Sequence, residues 1–100
     1  MDRLAFRFHN ELIEKMHIAK KECHYNPTRF NQMISEIGGV ETAKKLIDKA
    51  MRKGDCSDGF RTLYILNRLD LTMEDSVCKE EYQTLFSKEL IEYCRHLLNG

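Results

Sequence analysis

The chain has 100 residues, 42% of them hydrophobic, and its 16 basic residues are balanced by 16 acidic ones. This size and apolar content suit one domain, residues 1–100, with one hydrophobic core. A net charge of zero excludes the strong overall field of a protein that binds nucleic acids or anionic membranes without specificity. No apolar stretch approaches the length of about 18 residues that crosses a bilayer, and no signal-type block follows the N-terminus. We therefore expect a cytoplasmic protein without membrane contact.

The first predicted helices follow from apolar residues that recur every third or fourth position. This spacing predicts a long helix over residues 4–23 and a second one over residues 30–37. Asn26 and Pro27 separate the two. Asn26 can cap free amide groups, and Pro27 suits the first helical position, where its missing N–H costs nothing.

Glycines end the next two predicted segments. Gly38 can adopt the left-handed conformation that closes the second helix, and Gly54 stops a third helix over residues 40–52. A loop then leads to a fourth helix over residues 60–69. No segment shows the alternating pattern of a strand.

Short polar side chains predict where the last helices begin. The predicted N-terminal caps are Ser57 or Asp58, Thr72 and Ser87. The fifth helix is short and reaches about residue 79, and residues 80–86 either continue it or form a separate turn. The last helix ends near residue 98. The sequence therefore predicts an all-α fold, a single compact bundle of about five to six short helices.

No group of residues matches a known catalytic or metal-binding arrangement. The two Cys-His groupings, residues 23–24 and 94–96, lie at opposite ends of the chain, whereas structural zinc sites pair closely spaced ligands on a turn. The four cysteines form no CxxC pair, so we expect reduced, mostly buried thiols. Asp70, Glu74 and Asp75 are close enough to bind a cation, but helix capping explains them more simply. We expect no metal, no cofactor and no enzymatic activity.

Two arginines stand among apolar residues, where they are more unusual than lysines on a solvated face. Arg29 and Arg68 could pair with a carboxylate such as Asp58, Asp70 or Glu74 and hold loops together. The alternative is that they contact a partner, together with neighbouring aromatic and basic side chains. The predicted partner-binding residues are Tyr25, Arg29, Phe60, Arg61, Tyr64 and Arg68.

Four segments of the chain resemble an uncharacterised family of small bacterial proteins and C-terminal modules. These segments are YNPTRF at residues 25–30, GGVETA at 38–43, SDGF at 57–60 and RLDLTME at 68–74. The resemblance covers about residues 8–98. It implies a bacterial or phage source and a helical fold, and it implies no particular activity.

The leading functional prediction is a non-enzymatic helical protein-interaction module, because cap and core signals are abundant and no catalytic set converges. Such a protein would act as an accessory subunit or as an inhibitor of a bacterial defence system of the nuclease or CRISPR type. Self-association is a further alternative, because methionines and aromatic residues could exceed what one small core holds.

The main alternative is nucleic-acid binding through a helix-turn-helix-like hairpin at residues 30–53. Its length and central glycines are those of such a hairpin. The residues that would meet phosphates are Lys44, Lys45, Lys49, Arg52 and Lys53. The zero net charge of the chain argues against this alternative.

Overall fold

A computed structural model describes residues 2–100. The α-helices in this range are α1 (Arg3–Cys23), α2 (Thr28–Ile37), α3 (Gly39–Lys53), α4 (Asp58–Ile65), α5 (Met73–Val77) and α6 (Lys88–Asn99). Two 3₁₀ helices, Leu69–Leu71 and Glu80–Leu85, complete the helical segments, and the described residues include no strand. The all-helical bundle is thus confirmed. The predicted count of five to six helices is slightly low, because the two 3₁₀ helices add to the six α-helices.

Hydroxyl side chains cap three of the helices as predicted. Each hydroxyl oxygen accepts a hydrogen bond from a backbone N–H three residues further on. Ser57 accepts from Phe60 at 3.2 Å, Thr72 from Asp75 at 3.1 Å and Ser87 from Leu90 at 3.1 Å. The predicted Asn26 cap is wrong. Helix α2 begins at Thr28 with Pro27 in the cap position, and the Asn26 side chain instead accepts a hydrogen bond from Asn31 Nδ2 at 3.0 Å.

The fourth and fifth helices are shorter than the sequence predicts. Helix α4 ends at Ile65 because Asn67 takes a left-handed conformation with φ of 59°, after which the Arg68 N–H bonds to the Leu63 carbonyl at 2.8 Å. Helix α5 ends at Val77, and residues 80–85 form the second 3₁₀ helix. The alternative of a separate turn after α5 is therefore the one that the structure adopts.

Helix α1 contacts α2, α3, α5 and both 3₁₀ helices, so it lies at the centre of the packing. The core has two parts. The larger cluster consists of Phe8, Leu12, Ile34, Ala43, Ile47, Met73, Val77, Tyr82, Phe86, Leu90, Ile91 and Cys94. The smaller cluster consists of Met16, Ala19, Leu63 and Leu71. Phe30 of α2 packs against both clusters and joins them.

A buried lysine on α1 holds the turn that begins α5. Lys15 is 8% exposed, and its Nζ donates to the Thr72 carbonyl and to Asp75 Oδ2, both at 3.0 Å. Burial lowers the pKa of Lys15, and the Asp75 carboxylate opposes that shift. A buried ammonium group needs such partners, because an unpaired charge in the interior is costly. The backbone from Thr72 to Asp75 is therefore fixed against α1.

Membrane crossing requires helices that are both long and continuously apolar. Among the described residues, no helix has these two properties together.

The two glycines between α2 and α3 have different roles. Gly38 has a φ of +88°, a conformation that side chains rarely adopt, and so it makes the turn. Gly39 allows α3 to approach α1: a Cβ atom there would lie 2.7 Å from the Cα of His9. The Gly39 N–H also donates to His9 Nδ1 at 2.9 Å. The turn thus depends on the absence of two side chains, for separate reasons.

Replacing Gly39 by alanine should destabilise the protein, because backbone atoms of α1 and α3 would have to move apart. We expect a loss of about 1–3 kcal/mol in the free energy of unfolding, the usual range for an overpacked core site. Urea denaturation of Gly39→Ala measures this loss. The matched control is Gly59→Ala in α4, where the new Cβ would lie at an ordinary 3.5 Å from the Tyr25 hydroxyl. Equal stability of the two variants would contradict this account of the turn.

Candidate functional site

A pocket of about 490 Å³ opens between α2, α3 and the first turns of α4 and α5. This volume lies within the range of ligand-binding pockets in proteins. Much of its wall is apolar, with Met16, Phe30, Met33 and Leu63 as large contributors. Met16 and Leu63 belong to the smaller core cluster, so the pocket reaches into the interior of the bundle. We call it the Glu74 pocket, after the most buried charged residue in its wall.

Three of the four segments that carry the sequence resemblance converge on the Glu74 pocket. Residues 25–30, 57–60 and 71–74 all line it. Each of these segments contains the beginning of a helix, namely α2, α4 or α5. The fourth segment, residues 38–43, lies away from the pocket and forms the glycine turn against α1. The segments that stand out in the sequence therefore divide into one structural turn and one shared site.

Glu74 is the most unusual residue of the pocket. Its exposure is 1%, and only one of its two carboxyl oxygens has a partner. Oε2 accepts a hydrogen bond from the Ser57 hydroxyl at 2.9 Å, and Oε1 has no partner among residues 2–100. Burial raises the pKa of Glu74, although the backbone N–H of Glu74 itself, the Ser57 hydrogen bond and the charge of Lys15 oppose the shift. A half-satisfied carboxyl group in the interior is energetically costly, and it is a common feature of binding sites.

The mouth of the pocket carries basic side chains. Arg29, Lys49 and Lys53 line it and are exposed, and none of the three forms an ion pair within the described part of the chain. Asp55, also at the mouth, is paired with Arg61 at 2.9 Å. The backbone N–H of Cys56 and the Arg61 guanidinium together lower the pKa of Asp55. Asp58 is a second exposed acid in the lining, so the pocket combines a buried acid with three basic and two acidic groups at its opening.

Three of the predicted partner-binding residues, Tyr25, Arg29 and Phe60, line the pocket. Phe60 is only 5% exposed, and its ring stacks on that of Tyr64 with centroids 6.4 Å apart. Tyr64 itself is 64% exposed, and it is followed by Ile65 and Leu66, which are 75% and 43% exposed. We call Tyr64, Ile65 and Leu66 the α4 ridge. The stack therefore places this exposed ridge beside the pocket wall, to which Phe60 belongs.

The other two predicted partner-binding residues, Arg61 and Arg68, form ion pairs within the chain. Arg68 forms the predicted ion pair with Asp70 at 3.0 Å and a further one with Glu22 of α1 at 2.6 Å, so it ties the loop after α4 to α1. Arg61 lies beside the pocket mouth through its pair with Asp55.

Arg29, in contrast, does not form an ion pair with Asp58, Asp70 or Glu74, although the sequence allowed each of these partners.

The basic residues of α3 do not form one uniform surface. Lys44 lies 3.7 Å from Glu41, and Arg52 lies 3.1 Å from Asp48, so acidic neighbours on the same helix offset two of the five charges. The remaining three are exposed lysines: Lys45, Lys49 and Lys53. Two of these, Lys49 and Lys53, belong to the pocket mouth.

The role of Glu74 does not follow from the acidic residues around it in the sequence. Their pattern predicts a group of acids at a helix N-terminus, whereas the structure buries Glu74 against Ser57. One signal was present: Glu74 falls at helical spacing from the apolar Leu71, Val77 and Cys78 and so lies on the apolar face of α5. An acidic residue at such a position indicates either a buried partner or a site.

The described residues include no group of three or more His, Cys, Asp and Glu side chains placed to hold a metal ion. All four cysteines are free, Cys94 buried and the other three half-buried. Comparisons of the chain with protein-family models, with curated proteins and with solved structures give no match. The resemblance to a bacterial family therefore stays a prediction, and the site is argued from its own geometry.

Replacing Glu74 by glutamine should change how stability depends on pH. The pKa of Glu74 in the folded protein lies above its ordinary value of 4.5. The stability that the protonated group contributes is complete below that ordinary value, and it is lost as the pH rises through the raised pKa. We expect Glu74→Gln to gain stability relative to the natural protein as the pH increases from about 4.5 to 8. Urea denaturation across this pH range measures the difference.

Asp70→Asn is the matched control, because its effect on stability should change with pH in the opposite direction. Hydrogen bonds from Arg68 lower the pKa of Asp70, so the stability it contributes is present above its ordinary pKa and lost as the pH falls. Asp70→Asn should therefore be less stable than the natural protein at neutral pH. The difference in their free energies of unfolding should become smaller as the pH falls. A parallel pH dependence in both variants would contradict the assignment of a raised pKa to Glu74.

Proposed function

We propose that this chain is a non-enzymatic protein-interaction module of bacterial or phage origin. In this proposal it acts in the cytoplasm as an accessory subunit or as an inhibitor of a bacterial defence system of the nuclease or CRISPR type. The observation that carries the proposal is the exposed α4 ridge beside the Glu74 pocket, the two being joined by the stack of Tyr64 on Phe60 of the pocket wall.

The exposure of the α4 ridge supports a protein partner. Three consecutive apolar or aromatic side chains, Tyr64, Ile65 and Leu66, are 64%, 75% and 43% exposed. Isolated exposed apolar residues are common on protein surfaces, but several of them close to a pocket are typical of an interaction site. Tyrosine is also enriched among the residues that contribute most to binding between proteins.

The hydroxyl groups of the pocket support binding over catalysis. The Ser57 hydroxyl caps α4 and donates to Glu74, and the Thr72 hydroxyl caps α5 and donates to the Leu69 carbonyl at 2.7 Å. Both hydroxyl groups thus hold the backbone at the start of a helix, and a movement of either one toward a substrate would break a helix cap. A nucleophilic hydroxyl, in contrast, has to be free to approach the substrate.

The double variant Tyr64→Ser/Ile65→Ser should lose its partner. Tagged protein is used to capture binding proteins from cells of the source organism, and the captured proteins are quantified by mass spectrometry. We expect at least a tenfold loss of the specific partner, because residues that anchor an interface typically cost about 2 kcal/mol or more when removed. The variant should retain the helical signal and the melting temperature of the natural protein, since both side chains are exposed.

The control is Phe6→Ser, which replaces another exposed aromatic residue, 52% exposed, in the first turns of α1. It should leave capture unchanged. Equal capture by the natural protein and the double variant would contradict the proposal. Light scattering on the purified protein identifies self-association: a dimer that dissociates in the double variant would make a second copy of the chain the partner.

Nucleic-acid binding through residues 30–53 is the second candidate, and the exposed Lys45, Lys49 and Lys53 favour it. The acidic partners of Lys44 and Arg52 weaken it. A titration with duplex DNA or RNA at increasing salt concentration separates the two functions. Affinity that falls steeply with salt, and is lost in Lys45→Glu/Lys49→Glu, would favour nucleic acid. We expect no binding at low salt.

A further inference from the structure

We propose that the Glu74 pocket receives an arginine or lysine side chain of the protein partner, with the Glu74 carboxylate as its counter-charge and the basic residues of the mouth contacting acidic groups beside it. This inference rests on the proposed function and names the chemistry that the partner must present. Three independent features of the pocket carry it.

The first feature is the unpartnered oxygen of Glu74. Ser57 satisfies Oε2, while Oε1 has no hydrogen-bond donor among the described residues. Lys15 is the nearest buried cation, but its Nζ is already bonded to Thr72 and Asp75. A guanidinium or ammonium group supplies both the missing N–H donors and the missing positive charge. A neutral apolar occupant would leave the carboxyl group unpaired and more deeply buried.

The second feature is the apolar wall through which such a group must pass. Met16, Phe30, Met33 and Leu63 line the pocket together with the ring of Phe60. The methylene stems of arginine and lysine bury well along apolar surface while the charged end keeps its polar partners. Methionine side chains adapt to the shape of an occupant, and aromatic faces attract cations.

The third feature is the charge of the mouth. Arg29, Lys49 and Lys53 line it without ion pairs in the described part of the chain, and they outnumber Asp58, the one acid of the mouth that is likewise outside any ion pair there. These groups repel a partner segment that carries several basic residues, but they attract one in which a single basic side chain is flanked by carboxylates. The pocket therefore selects a partner segment in which one basic side chain enters the pocket and the neighbouring acidic residues stay at the mouth.

N-acetyl-arginine carries both required charges in one small molecule, and it is the probe of choice. Its guanidinium should reach Glu74, and its carboxylate should meet Arg29, Lys49 and Lys53. N-acetyl-citrulline has nearly the same shape but an uncharged end, so it serves as the matched ligand. Binding is followed by the backbone amide resonances of ¹⁵N-labelled protein, with ligand up to the millimolar range.

We expect N-acetyl-arginine to shift resonances of residues 57–60 and 71–74 and to saturate, with N-acetyl-citrulline at least tenfold weaker. Glu74→Gln should lose at least tenfold in affinity for N-acetyl-arginine, and Asp70→Asn, which removes an exposed carboxylate outside the pocket, should bind as the natural protein does. Tenfold corresponds to about 1.4 kcal/mol, which is close to the lower end of what one charge-assisted hydrogen bond contributes.

Equal binding of the two ligands by the natural protein would overturn the proposal, and this result does not depend on whether Glu74→Gln folds. The same resonances are followed with the nucleotide GMP. Saturable shifts with GMP and no shifts with N-acetyl-arginine would also overturn the proposal, because the occupant would then be a nucleobase whose N–H groups bond to Glu74. Failure of the inference is distinguishable from failure of the proposed function. If N-acetyl-arginine does not bind while partner capture still depends on the α4 ridge, the basic anchor is rejected and the interaction module stands.

Discussion

The hydrogen bond from Ser57 to Glu74 is the interaction on which the candidate site depends. The same hydroxyl caps α4, so one side chain fixes the start of α4 and the carboxyl group of α5 together. Lys15 holds the backbone around Glu74 by bonding to the Thr72 carbonyl and to Asp75 from α1. The first turn of α5 is therefore tied both to α4 and to α1, while one oxygen of the buried Glu74 carboxyl group has no partner among residues 2–100.

These contacts connect the fold to binding. A partner that supplies the missing donor gains more from a fixed carboxyl group than from a flexible one, because no conformational freedom has to be lost on binding. The stack of Phe60 on Tyr64 places the exposed α4 ridge beside the pocket wall, so a buried carboxyl group and exposed apolar side chains lie close together. That combination, an anchor in a pocket within a larger apolar contact, is common where proteins recognise each other.

Local chemistry explains how much of this structure could be predicted from the sequence. The caps Ser57, Thr72 and Ser87 were predictable because each hydroxyl satisfies amides within its own turn. The early end of α4 could not be predicted in this way. The residue that takes the left-handed conformation after it is Asn67, and a glycine at that position would have been a stronger signal. The site itself could be predicted only in part. The segments around Tyr25 and Phe60 stood out in the sequence, but their convergence with Glu74 depends on contacts between helices that are distant in the chain.

The titration of the Glu74 carboxyl carbon, followed by ¹³C NMR in the natural protein with and without N-acetyl-arginine, tests the central claim most directly. A buried and half-satisfied carboxyl group predicts a midpoint above the ordinary 4.5 in the empty protein and a lower midpoint when a cation occupies the pocket. A midpoint at or below 4.5 in the empty protein would contradict the account, because the carboxyl group would then be solvated or already paired.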